Sequence, residues 1–138
     1  MLCMKTRMMM CAIVACVMLG TAANAGTNEY ATWYTLQSSR HEGTSGITAG
    51  GRLLNESAFW CALPSRPPAD SSGRRAWGRQ IRITNTLTGK SIVCEQWDYG
   101  PGKGARARGV CVDLTPVAFL ALGGKFKAGR MEVKVEVL

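Results

Sequence analysis

Two aspartates stand where the chain changes direction. Asp98 precedes Tyr99-Gly100-Pro101, and Asp113 precedes Leu114-Thr115-Pro116. A β-fold offers side chains to a groove at such strand ends, and carboxyl groups there suit glycosidic chemistry. Hydrolysis takes two carboxyls, one as acid and one as base or nucleophile. Cleavage without water takes less. One carboxyl can protonate the leaving oxygen and then remove a proton from the sugar's own hydroxyl, which closes an anhydro ring. Burial suits that role by raising the carboxyl's pKa. Asp98 and Asp113 are the candidate catalytic residues, Asp98 as acid/base and Asp113 assisting. Each has a structural role open to it as well. An Asp before a Gly-Pro turn accepts backbone amides, and an Asp at a helix entrance complements the helix dipole.

Other chemistry is poorly supplied. His41 is the sole histidine, in a polar stretch, and a cysteine nucleophile needs a base beside it. Neither CxxC nor HExxH occurs, so no metal and no cofactor is expected. Aromatic rings can stack on sugars, and Trp33, Tyr34 and Tyr99 are the groove candidates, with Trp97 read as core. Arg74, Arg75, Arg79 and Arg82 form one basic group, and Lys103, Arg106 and Arg108 another. Such runs are first of all solvated faces. On a wall-binding protein they could also meet acidic polymers.

The elements that would position these residues are mostly short strands. Tyr30-Ala31-Thr32-Trp33-Tyr34 is aromatic and β-branched, a first strand. Residues 37–52 read as a polar loop, and residues 63–73, with three prolines, as an exposed second loop. Gln80 to Thr84 alternates apolar and polar, Asn85 to Lys90 turns, and Ser91 to Trp97 returns, making a hairpin. Val110 to Leu114 is another strand. Thr115-Pro116 supplies an N-cap and a first helical residue, and Gly123-Gly124 stops that helix. Met131 to Leu138 closes the chain as a strand with Val133, Val135 and Val137 on one face.

The chain has 138 residues, a formal charge of +8 and 46% apolar residues, which fits one domain and excludes wholesale disorder. Its first segment is an address. Lys5 and Arg7 precede an uncharged run from Met8 to Leu19, and Ala23-Asn24-Ala25 fits a signal-peptidase site. The run is too short to span a bilayer, which takes roughly 20 apolar residues. Residues 1–25 are expected to be a cleaved signal and 26–138 the domain, exported to the periplasm or beyond. Lipidation at Cys16 is a weaker alternative. The charge falls to +6 once Lys5 and Arg7 are removed. Export disfavours nucleic acid as the partner and leaves peptidoglycan or another anionic wall glycan; a monomer without a transmembrane segment is expected. Of six cysteines, Cys61, Cys94 and Cys111 remain, and an oxidising compartment predicts one disulfide among them, with any of three pairings open.

From Trp97 onward the sequence resembles the double-psi β-barrel family, which includes RlpA-like lytic transglycosylases, barwin-like proteins and the first domain of expansins. Asp98-Tyr99-Gly100-Pro101 is similar to the Asp-Arg-Gly-Pro motif of the RlpA-like proteins, and Asp113-Leu114-Thr115 to their Asp-Leu-Ser. Tyr30-Ala31-Thr32-Trp33-Tyr34 resembles the opening strand, Thr48-Ala49-Gly50-Gly51 the Thr-Ala-Ser-Gly turn, and Arg82 to Lys90 the central hairpin. The resemblance implies a mainly β fold, a six-stranded double-psi β-barrel with one short helix after Asp113-Leu114-Thr115. It implies that both aspartates face one groove, with Thr32, Trp33, Tyr34, Thr48 and Tyr99 on the substrate. It implies an exported protein that binds and cleaves peptidoglycan strands as a lytic transglycosylase. The departures are Arg52 where the RlpA-like enzymes carry Glu, and no histidine near Leu63-Pro64. Expansin-like barrels keep a different set, matched here by Thr32, Asp98 and Asp113. A non-catalytic, expansin-like polysaccharide-binding module is therefore the alternative, and a protease-inhibitor-like interaction protein a third.

Overall fold

The computed structural model describes residues 28–138. The expected signal and Cys16 lie outside the described residues. Six strands, β1 (Tyr30–Trp33), β2 (Trp60–Leu63), β3 (Arg79–Asn85), β4 (Ser91–Tyr99), β5 (Val110–Leu114) and β6 (Met131–Val137), close into a barrel in the order β1-β5-β2-β4-β3-β6. The pairs β1–β5 and β2–β4 are parallel; every other neighbouring pair is antiparallel. Parallel neighbours need crossover connections rather than tight turns. β1 and β5, and likewise β2 and β4, are accordingly separated in the chain by other strands of the barrel.

Five of the six strands coincide with those expected from the sequence. β2 does not. Trp60, Cys61, Ala62 and Leu63 are all buried, so the segment has no polar face to alternate with. The helical content also exceeds the single helix expected. α1 (Leu36–His41) forms within the predicted polar loop, held by a reciprocal cap in which Thr35 Oγ1 accepts from Ser38 N and Ser38 Oγ accepts from Thr35 N. α2 (Lys103–Ala107) lies in the glycine-rich loop, and α3 (Pro116–Ala121) is the predicted helix. A single 3-10 turn, Phe126–Ala128, leads into β6. Thr115 begins α3 without capping it through its side chain. Its hydroxyl instead donates to the Ala58 carbonyl at 2.6 Å and so ties the helix to the entry of β2.

The core is one apolar cluster built from Ile81, Ile83, Val112, Leu114, Phe119 and Leu122 with their neighbours. β6 contributes Met131 and Val133, but Val137 is 55% exposed, because the strand runs past the core. Asn85 is one of the buried polar residues. Its Nδ2 donates to the Leu122 carbonyl at 3.0 Å and its Oδ1 accepts from Leu87 N at 3.0 Å, which joins the β3–β4 turn to the end of α3.

The expected disulfide is corrected: all three cysteines are free. Cys61 and Cys94 are buried as small apolar groups of the core, where burial pushes both thiols up, Cys94 to about 12. The Cys111 thiol faces the carbonyl of Tyr30 at 3.5 Å.

Phe119 is fully buried at the centre of the cluster. Phe119→Ala is expected to destabilise the protein by about 3–5 kcal/mol, by loss of transfer free energy and a residual cavity. Val137→Ala should stay within about 0.5 kcal/mol. Denaturant midpoints of the two variants check the contrast.

Candidate functional site

Ala62 organises the site. In the β2–β4 ladder it is the register partner of Asp98, and in the β2–β5 ladder it is the register partner of Asp113. Paired residues on neighbouring strands point to the same face. The two aspartates therefore flank one alanine on one face of the barrel, on backbones roughly 9–10 Å apart, twice the strand spacing. The methyl group of Ala62 leaves the space between them open. Next along the barrel, β1 pairs Thr32 with Asp113, and the Thr32 hydroxyl donates to Asp113 Oδ1.

These residues floor an open groove of about 790 Å³. Trp33, Tyr34 and Tyr99 line it, with Ser38 and Glu42 from the α1 region and Arg108 and Arg130 from the later loops. Tyr99 is 47% exposed, whereas Trp33 rests on Phe126 with ring centroids 4.6 Å apart. The Tyr34 hydroxyl is buried and has no hydrogen-bond partner among the described residues. Burial pushes its pKa well up, with the nearby Asp98 and Asp113 adding to the effect.

Of the residues expected on substrate, Thr48 does not line the groove. It is buried, and its Oγ1 and backbone close the Thr48–Arg52 turn. The neighbouring residues of that turn matter more. Ala49 N donates to Asp98 Oδ1 at 3.0 Å, and Gly50 N donates to the Trp97 carbonyl at 2.9 Å. A Cβ at Gly50 would lie 2.8 Å from the Trp97 ring, so only glycine lets the turn approach β4 this closely. Arg52, where the RlpA-like pattern has Glu, lies with its guanidinium 4.0 Å over the Trp97 ring. Trp97 is thus half-buried beneath a cation rather than core.

The two carboxyls have different surroundings. Asp98 Oδ1 accepts two backbone amides, from Ala49 at 3.0 Å and Tyr99 at 2.8 Å. Its main chain is held as well, since the Asp98 carbonyl accepts from Gln96 Nε2 at 3.2 Å. Those bonds hold the side chain and its backbone in place. Asp113 has no backbone amide on its carboxyl among the described residues. Burial pushes its pKa above the ordinary carboxylate value of 3.8; the Thr32 hydroxyl pulls it down, and Glu42 and Asp98 push it up again. Burial thus disfavours the charged form of Asp113, while Asp98, expected as the acid/base, is the carboxyl anchored by amides. Glu42, Arg108 and Arg130 were not singled out from sequence for this groove; they come from loops with no pattern to mark them. No cluster of three or more His, Cys, Asp or Glu side chains suited to a metal occurs among the described residues.

No protein-family model matches the chain, and no curated protein matches it in sequence. Solved structures do. The Streptomyces papain inhibitor is similar with a TM-score of 0.52 and 19% identity, over 79% of this chain and 92% of that one. An aspartate-to-asparagine mutant of the Clavibacter michiganensis expansin in complex with cellohexaose is similar with a TM-score of 0.50 and 22% identity, over 81% of this chain. The same expansin without ligand gives 0.50 and 24%. The chain spans 50% of the length of the expansin. These likenesses carry the fold: the closed six-stranded barrel is a double-psi β-barrel, as the motifs implied.

A raised pKa fixes the sign of a pH effect. Folding favours the neutral Asp113 carboxyl, so the stability it contributes is full below 3.8 and is lost as pH rises through its shifted value. Asp113→Asn should therefore stabilise the protein more at neutral pH than in acid well below 3.8. In an NMR titration the Asp113 carboxyl should titrate above 3.8, and higher still in Thr32→Val, which removes the hydroxyl that lowers it. A midpoint unmoved by Thr32→Val would show that the hydroxyl does not hold the carboxyl in solution.

Proposed function

We propose that the groove binds a cell-wall glycan strand, with peptidoglycan the first polymer to test, and that the protein acts after export directed by residues 1–25. The observation that carries this reading is the pairing of Ala62 with both aspartates. It gathers Asp98, Asp113 and Thr32 on the floor of one open groove with the exposed ring of Tyr99 at its side. A sugar chain presents hydroxyl groups and apolar ring faces in alternation. Carboxylates, a threonine hydroxyl and aromatic faces are the matching set. The expansin bound to cellohexaose shares this fold, which lends the glycan reading support over an unrelated ligand.

Asp113 favours a second reading, in which the bound strand is also cut. Its carboxyl is half-buried, open to the groove and pushed toward the protonated form. It would donate its proton to the glycosidic oxygen as the bond to the sugar carbon breaks. The resulting carboxylate would take the proton of a hydroxyl on that same sugar as its oxygen bonds to the carbon. The products are an anhydro sugar end and a free chain end, with no water consumed. Asp98, held in place by two amides, stands on the same groove floor beside the reacting sugar.

Co-sedimentation with purified sacculi tests the first reading, and mass analysis of the released fragments tests the second. Sedimentation is expected, weakened roughly 2- to 10-fold in Tyr99→Ala if the ring contributes about 0.5–1.5 kcal/mol. Absence of sedimentation removes the glycan reading. Anhydro-muropeptides released by the wild type and lost in Asp113→Asn establish cleavage, and release undiminished by that substitution rules Asp113 out as the acid.

A further inference from the structure

The groove does not end at Tyr99. A second depression of about 630 Å³ shares Asp98 and Tyr99 with it and runs on beneath the loop of residues 64–78. Arg66, Arg74 and Arg75 line this continuation. Asp98 is its one carboxylate, and both of its hydrogen-bonded partners are amides on Oδ1.

The loop is ordered by its own bonds. Ala69 and Arg75 form an antiparallel bridge, and Asp70 N donates to the Arg74 carbonyl at 2.9 Å. The Asp70 carboxylate closes the tip by accepting from Ser72 Oγ at 2.6 Å and from Arg74 N at 3.0 Å; the Ser72 hydroxyl is the first cause of its lowered pKa. The base is clamped too. Arg79 reaches Gln96 Oε1 at 2.6 Å and Ser65 Oγ at 2.9 Å, and Gln96 Nε2 reaches the Ser65 carbonyl at 2.8 Å.

On this frame the cations are pre-placed. The Arg66 guanidinium stands 4.9 Å over the Tyr99 ring. Arg75 Nη1 donates to the Pro67 carbonyl at 2.9 Å, and Pro67 is itself buried. Arg74 has an ion pair, to Asp70 at 3.3 Å. Neither Arg66 nor Arg75 has a carboxylate within ion-pair distance among the described residues. A solvated cationic face needs no such anchoring. Two guanidinium groups held by a ring and a carbonyl, at the end of a groove, suit a planar anion that can take paired hydrogen bonds.

We propose that this loop forms a carboxylate-binding arm of the groove, and that the glycan strand it accepts carries acidic substituents along its length. The inference rests on the glycan reading and narrows it to anionic strands. The strand lies over Asp113 and Thr32 and passes Tyr99. A carboxylate borne on it, from a pendant peptide or an acidic sugar, meets Arg66 and Arg75.

The test compares soluble peptidoglycan strands of one length, with their stem-peptide carboxylates either free or blocked as methylamides, by titration calorimetry on the purified protein. The free-acid strand should bind roughly 3- to 10-fold more tightly at low salt, the range of exposed to partly desolvated charge pairs, and the difference should shrink as salt rises. R66Q/R75Q should bind both strands with the wild-type affinity for the blocked one, and R66K/R75K should keep part of the preference. Equal wild-type affinity for the two strands overturns the arm and leaves the glycan groove standing; this comparison needs no variant to fold. Binding of neither strand removes the groove reading and the arm with it. Binding of sugar-free poly-glutamate as tight as that of the free-acid strand would make the patch a protein-docking surface and overturn the proposal.

Discussion

The position of β2 between β4 and β5 is the constraint on which the site depends. Four residues, all buried, pair in parallel with one neighbour and antiparallel with the other. Side chains in ladder register share a face, so a single alanine dictates where both aspartates point. A slip of one residue in either ladder would turn one carboxyl away from the groove. Packing resists that slip, because Cys61 and Leu63 belong to the core cluster and would have to leave it. Thr115 adds a bond at the strand's entry, since Trp60 N donates to its hydroxyl at 3.3 Å.

The same side-chain type then acquires two characters from its surroundings. Asp98 is received by the Ala49 turn, which approaches closely because Gly50 has no Cβ, and its charge is spread into two amides. Asp113 receives one hydroxyl and is half-buried at the groove floor, so its charged form is disfavoured. Here the division follows from a turn and from a neighbouring strand, not from the aspartates' own sequence neighbours. Local sequence therefore does not show the different surroundings of the two carboxyls.

Much of the barrel was legible. β3 alternates apolar and polar residues, β4 follows as its hairpin return, and Thr115-Pro116 with Gly123-Gly124 brackets α3 within a residue or two. β2 was not, because a strand buried on both faces carries no period of two. α1 was hidden by Gln37, Ser38 and Ser39, which are indifferent helix formers; its stability comes from a cap visible only once Thr35 and Ser38 bond reciprocally. The convergence of Thr32, Asp98 and Asp113 was readable through family motifs, whereas the ladder that produces it was not. The placement of Thr48 away from the groove has a related reason: the backbone of its turn meets Asp98 and Trp97, and a motif names side chains. Arg66 and Arg75 carried no signal beyond charge, since what distinguishes them is the ring and the carbonyl that hold them.

The loop of residues 64–78 leaves the barrel at Ser65 and returns at Arg79, and these two residues are bonded to each other. Its ends are thus joined independently of whatever lies between them. An insertion or exchange at the tip would change the entropy of closing a loop, a slowly growing quantity, while the ladder beneath stays in register. The floor of the groove and the loop beside it are separable parts of the chain. One is set by strand pairing and tolerates little variation; the other is a detachable module on which selection or protein engineering can act without disturbing the floor of the groove.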